Sequence, residues 1–516
     1  MVRMADRGAV DILAVHAELR GGKTALIGPD RSLTFSQLNA RANRAANAFR
    51  ALGVGSDSRV AWMSYNSLVQ SEAAHACRKL QAVSVPINYR LLPPEIAYVL
   101  TDSGSEVVWV GRDFLAVVEE ARRSMTRRLT CIAVDAPPRP GWLAYEDLLA
   151  TATDEEPPSD DLPRLGASMI YTSGTTGRPK GAYRARGVPI EYALQAVAVF
   201  ELRESDVHLL CGPAYHSAPG FFATLHQMIG ATLVVQPKFD PLEALQLIAQ
   251  HGVTTTFMAP TLLQRLLDLP DDARRRYDVS SLRAVILGAA PCPQALKERA
   301  IAWLGQVIWE FYGATETSIN TVLRPEDQLR KPGSCGQAVP GQEIRLLDAD
   351  GHEVPTDTPG ELWVRNEVLA EYYKQPDATS ASMRDGYFSV GDIAYRDDEG
   401  YYFICDRRVD MIISGGSNIY PAEVEAVLHA HPGVADAAVI GVPDAKWGEA
   451  VKAIVVPRPG VSVTDRELID WCAQRLAGYK KPRSVDFAAE LPRSPAGKLL
   501  KREIRAPYWE RAGRRV

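Results

Sequence analysis

The segment at residues 171–181 combines the residue types that bind a phosphate group. It reads YTSGTTGRPKG and follows a predicted strand at 167–171. Its glycines let backbone amides approach an anion, and its hydroxyls and cations can contact phosphate oxygens. The P-loop pattern does not fit, because the lysine is not followed by serine or threonine. The candidate phosphate-binding residues are Thr172, Ser173, Gly174, Thr175, Thr176, Gly177 and Lys180.

Six further motifs follow this segment and extend over most of the chain. They are YGATE at 312–316, GELWVR at 360–365, GYFSVGD at 386–392, DRRVD at 406–410, SGGSNIYP at 414–421 and PRSPAGK at 492–498. With the first segment, they resemble the motifs of the adenylate-forming superfamily, which includes acyl-CoA synthetases, luciferases and peptide-synthetase adenylation domains. A single motif can arise by chance, whereas seven in the family's order identify the chain as a member.

This resemblance implies a ligation in two steps. A carboxylate is a poor acyl donor because it would have to expel hydroxide or oxide. Attack on the α-phosphate of ATP instead gives an acyl adenylate and pyrophosphate, and the thiol of coenzyme A then displaces AMP. Both steps build up negative charge, so cations and positioning are expected to supply most of the catalysis. The implied cofactors are ATP, Mg²⁺ and coenzyme A.

The resemblance assigns catalytic roles to individual residues. Lys498 matches the mobile lysine that reaches the α-phosphate, and His216 matches a position that contacts the carboxylate or the adenylate. Glu316 matches the magnesium ligand, with Thr172 as its hydroxyl partner, and one carboxylate with phosphate oxygens and waters is a common Mg²⁺ environment.

The matched nucleotide-binding positions lie on several motifs. Asp392 is expected to accept the ribose hydroxyls, Arg407 to donate to ribose or phosphate, and Tyr312 to offer an aromatic face to adenine. The turn at 288–291 resembles the adenine-contacting turn, and 415–416 is expected near the route of the thiol. The full set is Gly288, Ala289, Ala290, Pro291, Tyr312, Gly313, Thr315, Asp392, Arg407, Gly415 and Gly416.

The segments that resemble the acyl pocket, 215–222 and 257–261, contain no Lys or Arg. A second carboxylate, as in malonate, would lack a counter-ion there, so the predicted substrate is an apolar monocarboxylic acid: a medium- or long-chain fatty acid or a bulky ring-bearing acid. A basic cluster that could meet the phosphates and adenine of coenzyme A consists of Lys446, Trp447, Lys480, Lys481 and Arg483.

The leading hypothesis is an ATP-dependent carboxylate–CoA ligase. The alternatives are a fatty acyl-AMP ligase that passes its product to a carrier protein, an aryl-CoA ligase, a luciferase, and an inactive nucleotide-binding protein, which the retained motif residues argue against. The hinge motif departs from many relatives at Asp406, where glycine is common, and at Val409, where aspartate or lysine is common. A side-chain salt bridge at Val409 is therefore excluded, and backbone rotation there is the predicted hinge.

Strand-like and helix-like patterns alternate along the chain with short connections, which indicates parallel sheets covered by helices. A capping box at Thr34–Gln37 predicts the start of one such helix. β-rich runs at 437–440 and 451–456 indicate a separate compact unit. We therefore predict an α/β fold with a large N-terminal domain, 1–406, of parallel-rich sheets layered with helices, and a small mobile α+β C-terminal domain, 407–516, which carries the lysine of the last motif.

Composition limits the partners. The chain has 516 residues, with 58 Lys and Arg against 63 Asp and Glu, and a net charge of −5 predicts no nucleic-acid partner. No apolar run approaches about 18 residues, so no transmembrane helix is predicted. The scattered cysteines and the absence of a signal-peptide pattern predict a cytoplasmic protein. Peripheral membrane contact and a homodimer are left open.

Overall fold

The computed structural model describes residues 11–158, 165–172, 179–185, 187–289, 292, 294–348, 350–407, 412–419, 421–492 and 501–510. Its helices are α1 (Ile12–Arg20), α2 (Phe35–Ala51), α3 (Leu68–Lys79), α4 (Pro93–Ser103), α5 (Leu115–Arg123), α6 (Tyr145–Thr151), α7 (Ile190–Val199), α8 (Ser217–Met228), α9 (Pro241–His251), α10 (Pro260–Leu267), α11 (Asp271–Arg275), α12 (Gln294–Leu304), α13 (Pro376–Ala381), α14 (Pro421–His429), α15 (Asp465–Ala473) and α16 (Lys501–Glu510). Among these described helices, none is long and apolar enough to cross a membrane.

The strands form four sheets. They are β1 (Thr24–Ile27), β2 (Ser32–Thr34), β3 (Arg59–Met63), β4 (Val83–Pro86), β5 (Val107–Gly111), β6 (Thr130–Val134), β7 (Leu143–Ala144), β8 (Ser168–Thr172), β9 (Lys180–Arg184), β10 (Val207–Leu210), β11 (Thr232–Val235), β12 (Thr255–Met258), β13 (Ala284–Leu287), β14 (Ile308–Ala314), β15 (Ser318–Leu323), β16 (Gln337–Ala338), β17 (Glu343–Leu347), β18 (Gly360–Arg365), β19 (Glu371–Tyr372), β20 (Met383–Arg384), β21 (Tyr387–Phe388), β22 (Asp392–Arg396), β23 (Tyr402–Arg407), β24 (Ile412–Ser414), β25 (Ser417–Ile419), β26 (Val434–Asp444), β27 (Gly448–Pro457) and β28 (Ser484–Phe487).

Two large sheets form the frame of the N-terminal domain. The nine-stranded sheet has the order β16-β15-β14-β13-β12-β10-β11-β1-β2, and the eight-stranded sheet has the order β19-β9-β8-β4-β3-β5-β6-β7. Their central strands pair in parallel, which confirms the prediction from strand–helix alternation. Antiparallel strands occur at the edges, where β15 pairs with β14 and β9 with β8.

A third sheet in this domain was not predicted. It contains β17, β18 and β20–β23, and all of its pairings are antiparallel. Most of its successive strands are joined by turns or short loops, which favour antiparallel neighbours, whereas a parallel pair needs a longer crossover. The large domain is therefore of mixed rather than uniformly parallel architecture, and the motifs at 360–365 and 386–392 lie on the antiparallel sheet.

The small C-terminal domain is built on a five-stranded sheet with the order β25-β24-β27-β26, to which β28 is added beside β27. The two predicted β-rich runs lie within β26 and β27, which form one long antiparallel pair. Both strands extend beyond the predicted runs because the pairing continues to their shared turn near residue 446. The sheet packs against α14 and α15 through a buried apolar cluster, which confirms the α+β prediction.

Local sequence signals also define the start of α2. The Thr34 hydroxyl accepts a hydrogen bond from the Gln37 amide at 3.3 Å, and the Gln37 side chain accepts one from the Thr34 amide at 2.9 Å. This capping box is the predicted one. It fixes the start of α2, which packs against α3. Residues of α3 in turn line the cavity described below.

One buried carboxylate ties three helices of the N-terminal domain together. Glu72 of α3 is fully buried, and its carboxylate accepts hydrogen bonds from Arg41 of α2 at 2.7 Å and from Tyr145 of α6 at 3.1 Å. Arg31 also donates to it at 3.3 Å. A buried charge with several partners is costly to disturb, because its removal leaves the remaining groups unpaired.

We expect Glu72→Gln to destabilise the protein by about 3 kcal/mol, since the Arg41 guanidinium loses its buried counter-ion. Tyr145→Phe removes only one hydrogen bond and should cost about 1 kcal/mol. Urea unfolding followed by circular dichroism measures both. Equal losses for the two variants would show that the charge of Glu72 does not matter.

Candidate functional site

One continuous cavity of about 1150 Å³ is lined by all three sheets of the large domain and by the small domain. It brings together residues that lie far apart in the sequence, because the motifs end strands or occupy turns at the same side of the sheets. The predicted site residues in its wall are Thr172, Lys180, His216, Ala289, Tyr312, Gly313, Thr315, Glu316, Asp392 and Gly416.

Glu316 occupies the turn between β14 and β15 and is 7% exposed. Its Oε1 accepts hydrogen bonds from the Thr172 hydroxyl and the Tyr372 hydroxyl, both at 3.1 Å. The Nζ of Lys180 lies 4.7 Å from the centre of the Tyr372 ring. Burial lowers the pKa of Lys180, and the negative charge of Glu316 partly opposes this. The predicted pairing of Thr172 with Glu316 is therefore seen in the structure, together with a second hydroxyl.

Tyr372 had no distinguishing signal in the sequence. It lies on β19, the edge strand that pairs with β9 opposite Ala182. Only this pairing brings its hydroxyl to Glu316. Lys180 begins β9 directly opposite Thr172, because β8 and β9 form an antiparallel pair around the glycine-rich segment.

The Tyr312 hydroxyl donates a hydrogen bond of 2.6 Å to Oδ2 of Asp392. Tyr312 lies on β14 of the nine-stranded sheet, and Asp392 begins β22 of the antiparallel sheet and is 1% exposed. The backbone of Arg407 lies opposite Asp392 in the β22–β23 pair, and the side chain of Arg407 lies outside the described residues. Two residues assigned to one nucleotide are thus joined across two sheets.

Glycine is required by close packing at two positions of this wall. A Cβ on Gly288 would lie 2.6 Å from the Phe311 ring, and a Cβ on Gly313 would lie 2.1 Å from the Ser318 carbonyl oxygen. Ala289 follows with φ of +68°, a left-handed conformation uncommon for alanine. The wall here is consequently formed largely by backbone.

His216 directly precedes α8 and lines the cavity. Burial lowers its pKa to about 4, and the nearby positive Arg90 acts in the same direction. The ring is therefore neutral at pH 7, with one nitrogen as a donor and the other as an acceptor. The hydroxyls of Ser217 and Thr315 lie 3.3 Å apart beside it. This end of α8 presents neutral hydrogen-bonding groups to the cavity.

The small domain reaches the cavity through the turn between β24 and β25. Gly415 and Gly416 have φ of +59° and +76°, which glycine adopts without strain. A Cβ on Gly416 would lie 3.4 Å from the Cβ of Ala259, just before α10 of the large domain. A Cβ on Gly415 would lie 2.5 Å from the Trp447 ring. The turn is thus packed between the two domains.

Several predicted residues lie outside the described residues, and their placement stays a prediction. They are Ser173, Gly174, Thr175, Thr176, Gly177, Ala290, Pro291, Val409 and Lys498.

Beyond Thr315 and Glu316 the cavity continues between α8, β8 and α3. Eight residues of α8 between Ser217 and Gln227 and four of the five residues of β8 line it, and so do Trp62 and Trp109, whose rings stack 5.3 Å apart. The contribution of α3 was missed, because its sequence reads as an ordinary amphipathic helix. Its lining residues are Gln70, Ala73, Ala74, His75, Cys77 and Arg78. The acyl-pocket segments do lack cations, but α3 brings Arg78 to the same cavity.

The predicted basic cluster is only partly assembled. Arg483 lies 5.1 Å and Lys446 Nζ 4.9 Å from the centre of the Trp447 ring. Lys480 is instead 2% exposed, and its Nζ pairs with Glu423 of the small domain at 2.7 Å and Glu95 of the large domain at 2.8 Å. In this arrangement the ammonium is enclosed by carboxylates, and its contact with coenzyme A stays a prediction.

Comparison with known proteins gives matches over nearly the whole chain. The family model described as AMP-binding enzyme matches residues 13–374, and that of the AMP-binding enzyme C-terminal domain matches residues 423–498. An indoleacetate–CoA ligase from Aromatoleum aromaticum is 37% identical over 503 residues, covering 95% of this chain and 96% of that protein.

Two further matches extend this similarity. A fatty acid–[acyl-carrier-protein] ligase from Streptomyces coeruleorubidus is 34% identical over 517 residues, covering 98% of each chain. The solved structure of an o-succinylbenzoate CoA synthetase from Bacillus subtilis, a double mutant bound with a product analogue, has a TM-score of 0.84 and 31% identity, and covers 96% of this chain and 98% of that one.

The buried histidines predict a loss of stability in acid. Burial lowers the pKa of His216 and of the fully buried His226 from 6.5 to about 4. The unfolded chain binds these protons more readily than the folded protein does. The free energy of unfolding is therefore unaffected by these histidines above about pH 6.5 and falls as the pH drops toward 4, by up to about 3 kcal/mol for His226. Urea unfolding at pH 7 and pH 4.5 should show a smaller loss for His226→Gln than for the parent. An unchanged difference would contradict this assignment.

Proposed function

The chain belongs to the family of AMP-binding enzymes, and on that premise we propose that it is an ATP-dependent carboxylate–CoA ligase acting through an acyl adenylate. The observation that carries this proposal is the shared cavity. It holds the Glu316–Thr172 pair, the Tyr312–Asp392 pair and the Gly416 turn of the small domain.

The first half-reaction joins the acid to AMP. A carboxylate oxygen attacks the α-phosphorus of ATP, an oxygen–phosphorus bond forms, and the bond to pyrophosphate breaks. Negative charge develops on the phosphate oxygens, so the backbone amides of 173–177 and the cations Lys180 and Lys498 are the groups proposed to stabilise it. Neutral His216 can donate one hydrogen bond to the carboxylate or the adenylate.

The nucleotide is proposed to lie along the second pair. The Asp392 carboxylate accepts hydrogen bonds from the ribose hydroxyls, and the bond from Tyr312 fixes its orientation. The Tyr312 ring and the turn at 288–291 form the adenine wall. Arg407, whose backbone lies opposite Asp392 on β23, is proposed to donate to ribose or phosphate.

The residues around Glu316 also fit a magnesium ion. One buried carboxylate next to the Thr172 hydroxyl offers hard oxygen donors, and the phosphates of ATP and water would complete the set. The ion would neutralise phosphate charge when bound. The negative charge of Glu316 raises the pKa of Lys180 against the effect of burial, and the Tyr372 hydroxyl donates a hydrogen bond to the carboxylate.

The second half-reaction transfers the acyl group to coenzyme A. The thiol sulfur attacks the acyl carbon and a carbon–sulfur bond forms. The bond from the acyl carbon to the AMP oxygen breaks, AMP leaves with that electron pair, and the thiol proton passes to water. The close approach of Gly416 to Ala259 supports an arrangement of the domains suited to this step. Coenzyme A is offered an aromatic face by Trp447 and cations by Arg483 and Lys446. Domains at 1–406 and 407–516 would rotate about Val409 between the steps.

The proposed substrate is an apolar monocarboxylic acid, because Trp62, Trp109 and Phe257 contribute apolar rings to the cavity wall. Incubation with ATP, Mg²⁺, coenzyme A and a panel of fatty and ring-bearing acids should yield AMP, pyrophosphate and acyl-CoA. Pyrophosphate release that does not depend on the acid would contradict the proposal.

A carrier protein is the second candidate acceptor, since the Streptomyces relative transfers to one by its name. Omitting coenzyme A distinguishes the two. A CoA ligase should then accumulate acyl-AMP and resume turnover when coenzyme A is added. Acyl-AMP that persists in its presence but disappears with an acyl-carrier protein would favour the alternative.

Lys498→Ala should slow acyl-AMP formation on the order of a hundredfold, because a cation at the α-phosphate helps mainly that step. Thioester formation from synthetic acyl-AMP should change much less. The matched control is Lys501→Ala, since Lys501 pairs with Glu425 within the small domain. Single-turnover pyrophosphate release and acyl transfer are measured separately. Equal losses in the two steps would refute this role.

Glu95→Gln should slow transfer to coenzyme A about tenfold while leaving adenylation within about twofold, because it weakens the Lys480 contact that holds the domains in the described arrangement. Asp486→Asn is the control, since its pair with Lys452 lies wholly within the small domain. The same single-turnover assays apply. Transfer at the parent rate in Glu95→Gln would mean that the contact does not stabilise the transfer state.

A further inference from the structure

The cavity extends well beyond the residues assigned to the reaction. On α8, Gln227 lies ten positions after Ser217, which is beside Thr315, and this is about 15 Å of helix. On β8, Ser168 lies four positions before Thr172, and this is about 13 Å of strand. Both elements lead away from Glu316. An acid that enters with its carboxylate at the reaction residues would place its other end near Gln227 and Ser168.

The far end is closed by the C-terminal ends of α3 and α8. The α1 helix holds them together, because Asp11 at its start pairs with Arg78 at 2.5 Å and the His16 Nε2 hydrogen bonds to the Met228 carbonyl at 2.8 Å. Gly166, just before β8, also adjoins Arg78, since a Cβ there would lie 3.5 Å from the Arg78 Cβ. α3 therefore adjoins the residue just before β8, and α1 links α3 to the end of α8.

Two hydrogen-bond donors at this end have no partner among the described residues. The Arg78 guanidinium can only donate, so its 3.1 Å contact with Nδ1 of His75 makes that nitrogen the acceptor. Burial lowers the pKa of His75 to about 3, so the ring is neutral and carries its proton on Nε2. That Nε2 and the Nε2 of Gln227 are buried and unpaired. His75 is 8% and Gln227 7% exposed, and both line the cavity.

The charges around these donors are already balanced. Arg78 pairs with Asp11, and Lys79 pairs with Asp11 at 3.3 Å and with Glu156 at 2.7 Å. Two cations thus meet two carboxylates. Among the residues that the structure describes, a second carboxylate on the substrate would find no uncompensated cation at this end, so its desolvation would not be offset. A neutral oxygen needs only the two donors.

We propose that the substrate of this enzyme carries a neutral oxygen, a hydroxyl or a carbonyl, at the end far from its reacting carboxylate, and that His75 and Gln227 donate hydrogen bonds to it. This rests on the proposed carboxylate–CoA ligase function. Trp62, Ala73 and Cys77 line the stretch between, which suits an apolar middle. Satisfying buried donors is worth on the order of tenfold in affinity. The distance of about 13 to 15 Å along β8 and α8 corresponds to about ten to twelve carbon–carbon bonds of an extended acyl chain.

The test compares acids that differ only at the far end: dodecanoate, ω-hydroxydodecanoate and dodecanedioate. Acid-dependent pyrophosphate release gives kcat/KM, and calorimetry gives the binding of each acid to the full chain. We expect ω-hydroxydodecanoate to exceed both other acids about tenfold in each measurement.

Gln227→Leu should remove most of that preference by raising KM for ω-hydroxydodecanoate, while kcat and the values for dodecanoate stay near those of the parent. Gln246→Leu is the matched control, because Gln246 lies on the exposed side of α9 and bonds to Tyr277. His75→Leu should act like Gln227→Leu. Retained dodecanoate activity shows that a variant is folded.

The outcomes separate this proposal from the function on which it rests. The polar far end is overturned if dodecanoate is used as well as or better than ω-hydroxydodecanoate, or if Gln227→Leu keeps the preference for ω-hydroxydodecanoate. The ligase function stands in both cases. A preference for dodecanedioate also overturns it, because the far end then accepts a charge. Binding of ω-hydroxydodecanoate without pyrophosphate release supports the far end and contradicts the ligase. If ω-hydroxydodecanoate neither binds nor causes pyrophosphate release, both the polar far end and the ligase function are overturned.

Discussion

The carboxylate of Glu316 links the two large sheets by hydrogen bonds at the wall of the cavity. Glu316 belongs to a turn of the nine-stranded sheet, whereas the hydroxyls of Thr172 and Tyr372 that bond to it belong to the eight-stranded sheet. Arg184 reinforces the junction by donating to the carbonyl oxygens of Thr315 and, at 2.7 Å, Val368. A buried carboxylate must be hydrogen-bonded, so this requirement favours the approach of the two sheets at Glu316, beside the apolar core that they share. The proposed phosphate, metal and acyl sites all lie beside the junction.

The antiparallel sheet completes the nucleotide side for a similar reason. Asp392 is almost fully buried, and its bond to Tyr312 attaches this sheet to the end of β14. The glycine positions nearby leave the wall without side chains where Phe311 and the Ser318 carbonyl already fill the space. Residues from three sheets can therefore surround one small molecule, and no single sheet could do so alone.

The small domain is attached differently. Its contacts with the large domain include the Lys480–Glu95 ion pair and a 3.0 Å hydrogen bond between Asn88 and the Tyr479 hydroxyl. Water can replace polar contacts of this kind when they separate, which suits a domain proposed to rotate between two half-reactions. The glycine turn at 415–416 has no side chain to obstruct the cavity wall, so the domain can approach Ala259 closely.

The sequence by itself determined the family, the strand–helix alternation, the α2 capping box and ten residues that line the cavity, because each depends on local spacing or on contiguous motifs. Tertiary structure decided what spacing cannot encode. Tyr372 reaches Glu316 only through the pairing of β19 with β9, and Lys480 is removed from the basic cluster by a carboxylate from the other domain. The proposed polar far end depends on α1 linking α3 to α8, so only folding brings His75 and Gln227, 152 residues apart, to the wall of one cavity.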